Sequence, residues 1–276
     1  MLAAIAASAT CAQAQQAAVS APNGKLEFDA GVLNVPSGFV GRIAGTLTLP
    51  IGDRFGIQTD FSAASITGFT GSTAIHVFTR DPQSYLVGGT IGAVWTPGSA
   101  IVAAGPEAEL YMDMWTLEAW GGLAMVQPNS GGNHTGVFGM ADIAYYPTQN
   151  FRVSAGVSLL DGYSALHLST EYLFDTHPVP LALTGEARLG QDGSILAMIG
   201  LRAYFGAPHK SLIDRHRQDD PWDRGASLLT AVNGYGGGGS VSVTPTEETS
   251  DPSDNHGCTV PYEWNGTKCA DPFAEN

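Results

Sequence analysis

Residues 24–205 divide into runs of about ten residues in which apolar and polar side chains alternate. A period of two is typical of β-strands, because successive side chains of a strand point to opposite faces of the sheet. Turn-forming residues separate the runs, as in Pro50-Ile51-Gly52-Asp53. The pattern predicts strands at 24–34, 39–49, 55–65, 72–80, 85–95, 101–112, 116–126, 136–146, 151–160, 165–174, 181–190 and 194–205.

The predicted strand 181–190 illustrates the two unlike faces. One face carries Leu181, Leu183, Ala187 and Leu189, and the other carries Thr184, Glu186 and Arg188. A soluble β-sandwich and a membrane β-barrel both show this alternation, so further features must separate the two folds.

Three features favour a closed antiparallel up-and-down transmembrane barrel. First, the charged residues keep to one predicted face, which leaves the other face compatible with hydrocarbon. Second, aromatic residues gather at strand ends, where a membrane meets water; they include Phe39, Phe55, Tyr85, Trp95, Trp115, Tyr145, Tyr172, Phe174 and Phe205. Third, closure removes the unpaired strand edges that lipid cannot satisfy. We therefore predict an all-β barrel of about twelve strands, with ten or fourteen as alternatives.

Composition agrees with thin apolar segments spread over many strands. Only 14% of the residues are charged, and 35 of the 276 are glycine. No run approaches about eighteen consecutive apolar residues, which argues against a transmembrane helix. The net charge of −14 argues against nucleic acid as a partner, because phosphates require a basic surface. No motif calls for a metal or another cofactor, and we expect none.

Residues 1–14 read as a signal peptide. An apolar stretch precedes the small-x-small cleavage site Ala12-Gln13-Ala14, although no basic residue occurs before Lys25. An exported chain meets an oxidising compartment, so we expect Cys258 and Cys269 to form a disulfide that closes a small C-terminal element, residues 258–276.

The segment Met198-Ile199-Gly200-Leu201-Arg202-Ala203-Tyr204-Phe205 resembles the terminal-strand signal of Gram-negative outer-membrane β-barrel proteins. The signal positions are Gly200, Ala203 and Phe205. The resemblance implies that the barrel-assembly machinery reads this strand. It also implies a barrel at 24–205 followed by an extension, because Phe205 is not the last residue of the chain.

An even number of strands returns the chain to the periplasm at Phe205, so the resemblance places the tail there. We expect residues 206–257 to be a periplasmic linker. Within it, the basic stretch Lys210–Arg217 is either one or two helical turns at the periplasmic mouth or part of the solvated linker.

The inward face of the predicted barrel carries both signs of charge. The expected lumen-lining residues are Arg42, Asp60, Glu107, Glu109, Glu118, Asp142, Arg152, Glu171, Glu186, Arg188 and Arg202. Twelve strands lie between barrels filled by side chains and barrels with an aqueous channel. Two interpretations stay open: a narrow water-filled pore, or a lumen plugged by cross-strand ion pairs.

His167 and Ser169 are the candidates for catalysis. A His-x-Ser pair on one barrel strand weakly resembles outer-membrane phospholipases, in which nucleophile and base are strand neighbours. The alternation here turns both side chains inward, which favours ordinary lumen-lining residues.

The sequence thus favours an outer-membrane barrel that acts as a narrow porin-like channel or as a structural membrane protein without catalysis. The alternatives are a barrel enzyme acting on lipid or lipopolysaccharide through His167 and Ser169, and a soluble secreted β-sandwich that acts as a binding module. Expected partners are outer-membrane lipid, small solutes, and a periplasmic protein or the cell wall through the tail.

Overall fold

All twelve predicted strands are present in the computed structural model. It describes residues 16–34, 37–65, 68–174, 178–206 and 209–233, and the backbone of 263–264 and 269–270. The strands are β1 (Asn23–Asn34), β2 (Ser37–Ile51), β3 (Phe55–Ser65), β4 (Phe69–Asp81), β5 (Tyr85–Trp95), β6 (Ser99–Met112), β7 (Trp115–Pro128), β8 (His134–Thr148), β9 (Phe151–Leu160), β10 (Tyr163–Phe174), β11 (Leu181–Gly190) and β12 (Ile195–Phe205).

Each strand pairs antiparallel with its neighbours in the chain, and β1 pairs with β12 to close the barrel. The closing register runs from Gly24 opposite Phe205 to Leu33 opposite Leu196. The predicted closed up-and-down barrel is confirmed, and the sandwich alternative is wrong. A sandwich leaves edge strands, whereas closure gives every one of these strands two partners.

The two faces of the wall differ as the alternation predicts. Large apolar side chains on the outer face are well exposed, for example Leu123 at 61% and Leu168 at 60%. Between the strand ends the outer face of the described strands carries no charged residue, and the charged side chains turn inward, where all but the half-buried Glu186 are buried. An apolar surface of this extent is favourable only where hydrocarbon or another protein covers it.

The described part of the tail departs from the predicted linker. Residues 209–233 contain two helices, α1 (Leu212–Gln218) and α2 (Arg224–Asn233). Leu212 of α1 and Leu228 and Leu229 of α2 are buried. A solvated linker would leave these leucines in water, and burying each one against the barrel is worth about 1.5–3 kcal/mol. Neither helix is long and apolar enough to cross a membrane.

The N-terminal segment before β1 lies at the same end of the barrel as the tail. Val19 is buried against Phe78, Leu86 and Tyr111. The backbone N–H of Ser20 donates to the carbonyl of Gln218, which ties this segment to the end of α1.

The region Ser240–Asn276 is a separate compact unit. Its described residues form a two-stranded antiparallel ladder, β13 (Glu263–Trp264) with β14 (Cys269–Ala270). The predicted signal peptide, residues 1–14, and Cys258 lie outside the described residues.

Candidate lumenal site

Helix α1 seals the mouth of the barrel at the end where the chain leaves β12. Its Leu212 and Ile213 join a buried cluster of wall residues: Tyr146, Leu173, Ala182 and Tyr204. Ser211 caps the helix by accepting a hydrogen bond from the backbone N–H of Asp214. The cap stabilises the helix itself, and the burial of Leu212 and Ile213 in the cluster holds α1 at the mouth.

The turn between the helices is held by buried charges. The Nζ atom of Lys25, on β1, lies 2.7 Å from Oδ2 of Asp220, and both side chains are almost fully buried. Arg80, on β4, donates to three backbone carbonyls: those of Ala18, His216 and Asp219. These contacts hold the segment between α1 and α2 against the inner face of the barrel.

Asp60, on β3, caps α2 from the barrel wall. Its Oδ2 atom accepts hydrogen bonds from the backbone N–H groups of Arg224 (2.8 Å) and Gly225 (3.1 Å). Gln58 donates to Oδ1 of the same carboxylate at 2.7 Å. A carboxylate at a helix N-terminus satisfies orphan N–H groups and interacts favourably with the helix dipole. The wall thereby provides a cap that fits this helix.

His76, on β4, links this cap to the next carboxylate on the wall. Its Nε2 atom lies 2.7 Å from Asp60 Oδ2, and its Nδ1 atom lies 3.1 Å from both oxygens of Glu107. The ring therefore bridges the two carboxylates. Nε of Arg224 adds a cation, 3.2 Å from Glu107 Oε2.

Along its length α2 lies against β3, β4 and β5. Ser72 Oγ donates to the carbonyl of Gly225 at 2.7 Å. Gly92 leaves room for Leu228, since a Cβ atom added there would lie 3.4 Å from Leu228 Cδ2. At the far side, Arg188 Nη2 lies 3.4 Å from Thr230 Oγ1. The helix therefore fills the lumen between two walls.

The wall opposite β3–β5 carries a ladder of ion pairs. Arg42 contacts Glu27, Asp29 and Glu186 at 2.8–3.2 Å. Arg202 joins the ladder by pairing with Glu27 and Glu171. Between this ladder and α2 a cavity of about 50 Å³ remains. A cavity of this volume has room for a few water molecules.

All eleven residues predicted to line the lumen face inward, in three groups. Asp60, Glu107 and Glu109 lie beside α2 or its N-terminus; Arg42, Glu171, Glu186, Arg188 and Arg202 lie on the opposite wall; Glu118, Asp142 and Arg152 lie between them. The lumen is neither a water-filled pore nor a lumen plugged by ion pairs alone. Ion pairs link neighbouring strands, and helix α2 of the tail fills the space between the walls.

His167 and Ser169 do not form a catalytic pair in this arrangement. His167 Nε2 lies 2.6 Å from Asp142 Oδ1. The hydroxyl of Ser169 instead bonds to that of Ser154 at 2.6 Å and accepts a hydrogen bond from Arg152. Among their described contacts, the His–Ser hydrogen bond that activates a nucleophile is missing.

The functional residues that sequence reasoning missed lie in the tail: Asp219, Asp220, Trp222, Asp223 and Arg224. Two signals were available. Ser211-x-x-Asp214 matches a helix N-cap pattern, and Leu228, Leu229 and Val232 have helical spacing. Neither signal indicates that the helix enters the barrel.

Asp223, just before α2, is the titratable group of the tail with the largest consequence. Burial and the nearby charge of Asp60 raise the pKa of Asp223 to about 8. Its Oδ1 atom accepts a hydrogen bond from the backbone N–H of Ala226 at 2.8 Å. The docked helix therefore favours the protonated form of this side chain.

Comparison with known proteins gives fold neighbours only. No family model matches the chain, and no curated protein matches it. A KdgM porin aligns with 8% identity over 65% of this chain and 98% of its own, with a TM-score of 0.46. The COG4313 outer membrane channel from Pseudomonas putida F1 aligns with 11% identity over 70% and 98%, with a TM-score of 0.47. Omp33 from Acinetobacter baumannii aligns with 14% identity over 67% and 98%, with a TM-score of 0.39.

The strand register, the charge-free outer face and the polar lumen describe one architecture. The chain has the fold of a closed twelve-stranded antiparallel up-and-down β-barrel.

Proposed function

We propose that the protein is a porin-like outer-membrane channel for small hydrophilic solutes, closed in the described state by α2. The observation that carries the proposal is the way the helix is held. Its N-terminal half is bound by Asp60, Glu107 and Ser72, all polar groups of the wall. Water can replace such contacts when this half of the helix leaves the lumen, and the apolar cost of opening is confined to the C-terminal half, where Leu228 and Leu229 are buried.

The remaining features of the chain fit this assignment. We propose that residues 1–14 are a signal peptide, that Gly200, Ala203 and Phe205 are read by the barrel-assembly machinery, and that outer-membrane lipid covers the outer face. We also propose that the tail is periplasmic, that Cys258 and Cys269 form a disulfide, and that residues 258–276 bind a periplasmic protein or the cell wall. No catalytic role is proposed for His167 or Ser169.

Conductance in planar lipid bilayers tests the proposal. The full chain should conduct little, and a variant that ends at Gly206 should form steady open channels, because both helices are then missing. Heat-modifiable migration in detergent gels serves as the folding control for both proteins. A folded but silent variant would contradict the channel and favour a structural role for the barrel.

A further inference from the structure

Four carboxylates form an acidic wall in the lumen: Glu107 and Glu109 on β6, Glu118 on β7 and Asp142 on β8. In the strand register Glu109 lies directly opposite Glu118, and Glu118 lies directly opposite Asp142. Like charges in directly opposed positions destabilise a sheet. All four are at least nine-tenths buried, so water screens their repulsion poorly. Three of the four have a basic side chain of the wall beside them, namely His76 at Glu107, Arg152 at Glu118 and His167 at Asp142, whereas Glu109 has no such ion pair with the wall among the described residues.

A cation on the tail already occupies the acidic wall. Nε of Arg224 binds Glu107 at 3.2 Å, and Nη2 lies 4.0 Å from Glu109 Oε1. The side chain is 1% exposed, and its Nη2 atom has no hydrogen-bond partner among the described residues. The guanidinium thus uses only part of its five-donor fork, and it reaches Glu107 better than Glu109.

Two residues opposite Glu107 and Glu109 in the strand register also have an unpartnered polar atom among the described residues. Trp120 lies opposite Glu107 in the register and is 1% exposed, and its Nε1 atom is unpartnered among the described residues. One carboxylate oxygen of Glu118, Oε2, is unpartnered in the same sense, although Oε1 binds Arg152. An aromatic ring beside buried carboxylates is a combination that recognises organic cations.

We infer that the acidic wall is the solute-recognition site of the channel and that it takes organic cations with a guanidinium or ammonium group. Arg224 occupies this site in the closed state as an internal substitute for the solute. A solute cation that binds Glu107 and Glu109 displaces Arg224 and thereby weakens the hold on α2. This inference rests on the proposed channel function and names its solute class.

Competition between Arg224 and a free cation for the acidic wall determines the solute concentration at which the cation binds. Arg224 is tethered, so its effective concentration at the wall is in the millimolar range or above. The apparent affinity for a free cation equals the intrinsic affinity multiplied by the fraction of protein in which the acidic wall is free of Arg224. Removing the guanidinium while keeping the chain, as in Arg224→Gln, should therefore tighten the binding of a free cation.

Arginine and citrulline are matched probes, because citrulline replaces the guanidinium with an uncharged urea group of similar shape. Calorimetry on the full chain carrying Arg224→Gln should show arginine binding at least tenfold tighter than to the unmodified chain, and no citrulline binding. Adding Glu107→Gln and Glu109→Gln should abolish it. Glu186→Gln, which removes one negative charge from the opposite wall, should leave it intact. Heat-modifiable migration confirms that each barrel is folded.

In bilayers at constant ionic strength, arginine but not citrulline should raise the conductance of the full chain. Equal responses to the two probes, or arginine binding that survives Glu107→Gln with Glu109→Gln, would overturn the inference. If the chain ending at Gly206 conducts while Arg224→Gln binds no arginine, the channel proposal stands and the solute class is wrong. If that shortened chain is folded and silent, the channel proposal fails, and calorimetry still decides whether the acidic wall binds cations.

Discussion

The carboxylate of Asp60, on strand β3, accepts a 2.8 Å hydrogen bond from the backbone N–H of Arg224, the first residue of α2. A residue of the barrel wall thus caps a helix about 160 positions further along the chain, and this contact couples the wall to the tail. The two residues are far apart in the sequence but in direct contact in space. The cap therefore forms only when α2 lies inside the barrel.

Asp60→Asn should weaken the closed state. The amide keeps one acceptor oxygen but loses the charge that faces the helix dipole and His76. We expect docking to lose about 1–2 kcal/mol, a five- to thirtyfold rise in the open fraction. Bilayer conductance measures this change.

The control for Asp60→Asn is Asp29→Asn. Asp29 is an equally inward carboxylate that binds Arg42 instead of the helix. Conductance equal to that of the unmodified chain in Asp60→Asn, or an equal rise in both variants, would show that the cap does not hold the helix.

Gly92→Leu should expel α2 from the lumen. A Cβ atom added at this position would lie 3.4 Å from Leu228 Cδ2, so the rest of a leucine side chain would occupy the space of Leu228. Overpacking a tight contact costs about 1–3 kcal/mol, and undocking relieves it. We expect faster protease cleavage of the tail and higher conductance than in the unmodified chain.

Gly89→Leu is the control for Gly92→Leu, because Gly89 lies on the same strand but faces the outer side of the wall, where a Cβ atom would meet nothing within 4 Å. Its tail should be cleaved at the rate of the unmodified chain. If both variants behave alike, the contact between Gly92 and Leu228 does not position α2.

The barrel was predictable from the sequence because every strand repeats the same alternation of apolar and polar side chains. Alternation places Leu183 outside and Arg188 inside, and each strand adds the same information. Parity likewise places Glu107 and Glu109 in the lumen. Helix α2 was predictable only as a helix: Leu228, Leu229 and Val232 have helical spacing, but Ser227 and Thr230 face the lumenal cavity and no residue signals that the helix enters the barrel. The long-range cap at Asp60 leaves no pattern in the neighbouring sequence.

The pair Lys25–Asp220 should behave as a buried ion pair. Lys25→Met leaves Asp220 uncompensated in a buried site, which costs about 3–5 kcal/mol and should release the tail. Lys25→Met with Asp220→Leu removes both charges, so we expect it to recover most of the docking. Protease cleavage of the tail measures both variants, and a double variant as exposed as the single one would contradict this account.

Opening should increase as the pH rises from 6.5 to 9. The groups that face Asp223 are Asp60 on β3 and Lys25 and Glu27 on β1. Because the pKa of Asp223 is raised to about 8 when docked, against an ordinary value of 3.8, the docked state binds the proton more tightly. Its contribution to docking is complete below the ordinary value and is lost as the pH rises through 8.

Bilayer conductance of the full chain between pH 6.5 and 9 measures this loss. Burial lowers the pKa of His216, so that ring stays neutral throughout the window and does not oppose the trend. Asp223→Asn keeps an acceptor for the N–H of Ala226 but cannot ionise, so this variant should stay closed up to pH 9. A rise of equal size in Asp223→Asn would assign the pH dependence to another group of the lumen.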